Sequence, residues 1–455
     1  MVGLTTAHRL ALAALLGRCS EPVLKSVAAA VASVPGPRAV ELRAMLADEM
    51  RDRWRRGYAL APIAPMFRAR ADGVEAMLFP AGVFPRLWRA AAEREPDLLP
   101  RLDDFNDPRD ARAAANRICH IAAGIVRDRP DAVWPPDLEP EKREAGLYDL
   151  AACLDLAPLG RRALASIEAW LKRPDGDQLA ELRLLVRDST AIHADGARRL
   201  LEMLFAHLAE AVLVLRIVTR TSNASDREDF LSVSELAGFV ERLLAGVSAR
   251  VARLADFSPT PDADALAAAV ADLEWCADVL AELDVTLTLE PTSPWGAAVR
   301  EARHRLGEWL ARLLRAAERA VDRALPLTRV KVAGRMSRNV PLLSAPARGD
   351  AADEALALLR LVGASRGATA TFGCEGDRRA LEETLTARLT DYADQLLLMV
   401  NEGETADEAH ALALVAVAAR YLEELGVRAV ARSVRRRAAV AGRPTSGAGP
   451  SSRAA

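Results

Sequence analysis

Long stretches of this chain repeat their apolar residues every three or four positions, and almost none alternates them, which confines the fold to packed helices. AVELRAMLADEMRDRWRRGYA (39–59) sets the pattern, with Leu42, Met45, Leu46, Met50 and Trp54 on one stripe. The same spacing predicts helices over 7–20, 21–33, 107–128, 159–172, 177–220, 231–257, 263–287, 296–325, 351–363, 376–401 and 404–425. Asp107 before Pro108 supplies a side-chain cap and a first-turn proline for one of them. VTLTL (285–289) is the best strand-like run, and it is too short to define a sheet. Long segments with short connectors in 455 residues predict an all-α protein, a multi-helix bundle or an irregular array of stacked helical hairpins. No repeat keeps a fixed period.

Proline and glycine punctuate the chain into regions. An N-terminal helical region (1–130) contains a Pro- and aromatic-rich segment, where Phe67, Phe79, Phe84 and Trp88 are expected to wedge turns between short helices. A linker (131–144) with Pro135, Pro136 and Pro140 leads to a central long-helix bundle (145–325), in which 177–220 bends near Asp195-Gly196. A basic loop (326–350) precedes a C-terminal helical region (351–427) and a basic tail (428–455), whose last fifteen residues have a disordered composition.

Composition excludes more than it assigns. With 51% hydrophobic and 27% charged residues the chain is not globally disordered, and abundant alanine accounts for a mean hydropathy of +0.03. No segment carries the uncharged length a membrane helix needs; AEAVLVLRIV (209–218) includes Glu210 and Arg216. LALAALLGRCS (10–20) has the outline of a lipoprotein leader, but Arg18 stands where a small residue is required, so an amphipathic first helix is expected. Cys19, Cys119, Cys153, Cys276 and Cys374 are odd in number and widely spaced, which predicts reduced thiols in a cytoplasmic protein. Lysine occurs only at 25, 142, 172 and 331, so 57 of 61 basic residues are arginine; with the alanine, glycine and proline this reads as the codon usage of a GC-rich bacterial genome.

DDFND (103–107) is the sharpest short motif. Asp103, Asp104 and Asp107 have the spacing with which all-helical isoprenoid synthases hold magnesium and diphosphate, and by that resemblance they would be the catalytic carboxylates. The chain departs from the pattern, because Pro100 and Pro108 crowd the motif and no second acidic motif follows. A capped inter-helix turn is the expected role. Glu301–His304 and Asp407–His410 place acid and imidazole on one helix face, with Glu274 and Glu382 as lone partners for a carboxylate-bundle metal site. Their charged neighbours favour surface ion pairs, and no metal is expected. The DEAH letters (407–410) lack a Walker lysine motif. The glycines at 363, 367, 373 and 376, with Arg366 or Arg378, could cradle an anion or serve only as a connector. His193 and His207 could share a helix face, with no nucleophile near them in sequence.

Cationic side chains cluster at Arg329, Lys331, Arg335, Arg338 and Arg348, and again at Arg435, Arg436 and Arg437. They are the expected contacts to an anion or a partner. The leading functional expectation is a noncatalytic cytoplasmic scaffold or adaptor that binds another protein or itself. The alternatives are a magnesium-dependent enzyme acting on a phosphorylated or diphosphate substrate, and a peripheral binder of nucleic acid or anionic membrane through the basic segments.

Overall fold

A computed structural model describes residues 4–221, 228–258, 262–333 and 336–441; the expected disordered end lies outside the described residues. The fold is all-α apart from one two-stranded ribbon. Two compact units divide the chain at Val240/Glu241.

The first unit opens with α1 (Thr6–Arg18), α2 (Glu21–Val31) and α3 (Pro37–Ala59), close to expectation. Leu16, Leu24 and Leu46 form their small shared core. The aromatic wedge follows, with Phe67 against Phe79 and Phe84, both ring pairs centred within 5.4 Å. It leads into α4 (Val83–Arg94), α5 (Leu99–Leu102), α6 (Pro108–Asp128) and α7 (Pro130–Val133). The segment 131–144 is no loose linker. Trp134 is buried, its Nε1 donates to Leu138 O at 2.7 Å, and α8 (Pro140–Leu171) starts at Pro140 and runs through Pro158. Small buried residues let α6 and α8 pack closely: Ala111, Ala115 and Ala122 on one, Ala152 and Ala157 on the other.

The expected single helix over 177–220 is three, α9 (Gly176–Ile192), α10 (Gly196–His207) and α11 (Val214–Thr221). The first break is a corner. His193 is extended, and Gly196 approaches the Ser189 carbonyl so closely that a Cβ would lie 1.9 Å from it. Past α12 (Glu228–Leu231), the unit boundary falls inside α13 (Ala237–Asp256).

The second unit contains α14 (Ala263–Thr286) and α15 (Pro294–Ala324), which buries Leu306, Leu310, Leu313, Ala317 and Val321 along one stripe. The expected basic loop is in fact a hairpin of β1 (Leu327–Ala333) and β2 (Met336–Pro341), where Thr328, Val330 and Val340 suit a pleated ribbon. Then come α16 (Asp350–Ala364), α17 (Arg366–Thr371), α18 (Glu375–Asn401), α19 (Glu408–Glu424) and α20 (Arg428–Ala441), with α19 packed on α16, α18 and α20. The first part of the basic tail is thus a helix that buries Ala431 and Val434.

Arginine fastens many helix ends in both units. Arg53 donates to Leu16 O and Cys19 O at 2.8 Å, closing α1, and Arg43 donates to Val31 O and Val34 O at 2.8 Å, closing α2. Arg161 reaches Tyr58 O and Ala59 O at the end of α3, and Arg220 reaches Trp170 O and Lys172 O at the end of α8. In the second unit Arg366 meets Leu425 O at the end of α19. The last carbonyls of a helix lack intrahelical donors and carry its negative end; a forked cation serves two or three of them together.

The glycine-rich stretch from 363 is mostly helical, and its cations are taken. Arg378, 6% exposed, bonds Glu375 at 2.9 Å and Glu382 at 2.6 Å, and Arg366 also reaches Glu382 at 3.0 Å. Hydrogen bonds from Arg378, Arg379 and Thr369 hold the Glu375 carboxyl far below its ordinary value of 4.5. A depressed folded-state pKa stabilises the fold fully above the unfolded value and loses that contribution as pH falls below it. The thermal midpoint should therefore drop on acidification from about pH 5 to about pH 3, more shallowly in Glu375→Gln, as circular dichroism melts would show.

Candidate functional site

DDFND builds a turn whose carboxylates are all engaged. Asp103 accepts from Arg55 Nε at 2.9 Å in a forked pair with the Arg55 guanidinium, whose hydrogen bond holds the Asp103 carboxyl below its ordinary range. Asp104 Oδ1 accepts from the backbone N–H of Asn106 (3.0 Å) and Asp107 (3.3 Å). Asp107 caps α6, accepting from Arg109 N and Asp110 N at 3.1 Å. Asp103 is held by α3, whereas Asp104 and Asp107 are each held through Oδ1 by backbone of the turn and of α6.

The residue this turn presents is the aromatic one. Phe105 is 75% exposed, and its ring packs on Trp54 of α3 with centroids 5.2 Å apart. Trp54 in turn stacks on Tyr58, one helical turn further, at 5.4 Å with planes 8° apart. Arg161, locked to the end of α3, holds its guanidinium 5.8 Å from the Tyr58 ring. Trp54 was expected in the buried stripe of α3; it is 39% exposed and belongs to this cluster. A chain with 4% aromatic residues thus places three of them together, Trp54 and Phe105 exposed and Tyr58 half-buried beneath them.

No family model, no curated protein and no solved structure matches this chain. The geometry stands by itself.

The other sequence candidates are dispersed. Glu301 pairs with Arg305 at 2.7 Å and His304 with Glu308 at 3.4 Å, all exposed on α15. Asp407 caps α19 by accepting from His410 N at 2.9 Å, while His410 Nε2 meets Ala345 O at 2.9 Å. Glu274 is exposed and Glu382 is held by Arg366 and Arg378. Among the described residues no three His, Cys, Asp or Glu side chains gather in a metal-binding group. The five thiols are unpaired; burial pushes Cys119 up to about 11 and Cys276 to about 12, far from thiolate reactivity at neutral pH. Among the described residues no helix is long and apolar enough to cross a membrane.

The basic cluster is divided by its strand register. Arg329 faces Asn339 and Arg338 faces Val330, so the two exposed arginines stand on opposite faces of the hairpin. Arg348 is exposed beyond β2; Arg335 and the side chain of Lys331 lie outside the described residues. On α20, Arg435 pairs with Glu423 and Arg437 with Asp394, leaving Arg436 exposed between them.

His193 and His207 do not share a face, because the α9–α10 corner separates them. His207 Nε2 is tethered to Ala61 O at 3.1 Å and Pro62 O at 3.2 Å. His193 Nε2 meets Asp155 Oδ2 at 3.2 Å, and Asp155 also pairs with Arg127. DDFND forms the capped inter-helix turn expected of it. Sequence offered no signal for Trp54, Tyr58 and Phe105 as a unit, since 47 positions separate Tyr58 from Phe105.

Proposed function

We propose that this protein is a noncatalytic helical scaffold that binds another protein chain through Trp54, Tyr58 and Phe105. The exposed aromatic cluster carries the reading. Trp, Tyr and Arg dominate the energetics of protein interfaces, because large rigid side chains bury much area at little entropic cost. The Arg55–Asp103 pair and the Asp107 cap fix the turn in advance, which lowers the ordering cost of docking. The outward arc of α1 supports the same reading. At 100° per residue Ala7, Leu10, Ala11, Ala14 and Leu15 span an arc of about 140°, and all five are exposed. A helix apolar on both faces is characteristic of one that is covered on both.

The test is solution mass by light scattering on protein purified gently from its native host. The expected mass exceeds the 49.0 kDa of one chain, as further copies or a co-purifying protein. Phe105→Asp should return it to 49.0 kDa with an unchanged circular dichroism spectrum, since this side chain is mostly in solvent. A 49.0 kDa particle from the unsubstituted chain at both about 50 and about 500 mM salt would overturn the proposal.

A further inference from the structure

A pocket in the first unit, away from the aromatic turn, lies between the end of α6, the first turns of α8 and the α9–α10 corner. It encloses about 460 Å³, a volume suited to a small organic ligand. Its base is apolar, with Val126, Leu147 and Ala151. Its rim is made of side chains with specific work left to do.

Tyr148 is one of them. Its ring is 63% exposed, yet one face is covered by the Arg199 guanidinium 4.9 Å from the centroid. Arg199 is itself 1% exposed and anchored to Asp149 at 2.6 Å. The ring is therefore backed by a fixed cation, ready to stack on its other face. Arg127 gives one nitrogen to Asp155, and Arg143 gives Nε to Trp134 O at 2.9 Å and one terminal nitrogen to Asp131. A guanidinium carries five N–H donors, so each keeps donors to spare. His193 lines the same pocket, its ring held in place by Nε2 against Asp155 Oδ2 at 3.2 Å.

We propose that this pocket binds a small aromatic carboxylate. The ring would stack on Tyr148 over the apolar base, and the carboxylate would accept from Arg143 and Arg127, with His193 beside it. Asp155 and Asp131 already neutralise the two guanidiniums, and Glu144 also lines the rim. With two guanidiniums against three carboxylates, recognition rests on the directed donors and not on net charge, and a second negative charge on the ligand, as in phosphate, is disfavoured.

Isothermal titration calorimetry on the full chain tests this, with indole-3-acetate, benzoate and 4-hydroxyphenylacetate as probes, and indole-3-acetamide and inorganic phosphate as controls. At least one carboxylate should bind at millimolar concentration or below, with neither control binding comparably. Tyr148→Ala should weaken that binding about tenfold, the scale of one aromatic stacking contact, while Tyr148→Phe keeps it. Both substitutions fall on an exposed ring, so circular dichroism should be unchanged. Silence from all three carboxylates would overturn the proposal. So would equal affinity for the amide, tighter binding of phosphate, or indifference to Tyr148→Ala.

Discussion

Replacing Arg199 with methionine is expected to lower the free energy of unfolding by about 3 kcal/mol, read from urea denaturation. Arg199 is among the most deeply buried cations in the chain, and it joins Asp149, Asp195 and the face of Tyr148. Methionine fills much of the volume, but it leaves Asp149 without its counter-charge and Asp195 with Arg198 alone, 3.6 Å away. Those carboxylates are 25% and 35% exposed, so water recovers part of the loss and the cost stays below that of a fully buried orphan. Arg199→Lys should fall between, at about 2 kcal/mol, because one ammonium cannot serve both acids and lie flat on the ring. Equal stability of Arg199→Met and the unsubstituted chain would show that this network carries no net weight.

Gly196→Ala should be more damaging still, costing more than about 3 kcal/mol. Its added Cβ would stand 1.9 Å from the Ser189 carbonyl oxygen and 2.5 Å from the carbon. Both are backbone atoms, so no rotamer change relieves the clash, and the corner between α9 and α10 must open. His193 would move away from Asp155 with it. Gly124→Ala is the matching control, within α6 with nothing inside 4 Å of the new methyl. It should stabilise by about 0.8 kcal/mol through helix propensity alone. Opposite signs for two Gly→Ala changes in one unit would establish that the corner, not glycine content, sets the cost.

The same corner shows where sequence reading stops. Helices at 37–59, 108–128, 263–286 and 294–324 were legible within two residues, because caps and apolar stripes are local signals. The break at Gly196 was legible only as a bend, since the close approach that requires glycine is a contact between turns. Pro140 and Pro158 misled for a related reason. Proline marks a connection on average, yet Pro140 occupies a first helical turn and Pro158 lies inside α8. The basic hairpin was missed because two short charged strands carry little periodicity. In the aromatic site, the capped turn could be read from DDFND, whereas the exposure of Phe105 depends on what fails to cover it. Similarly, His193 looked isolated because Asp155 lies 38 positions earlier.

Arginine closes helices in both units, and this changes what the composition signifies. A chain rewritten with lysine at every arginine would keep its net charge of -2 and its apolar pattern. It would lose the flat fork that spans two carbonyls at the ends of α1, α3 and α8. Charge-preserving drift is therefore not neutral at these positions, where the helix ends themselves demand arginine.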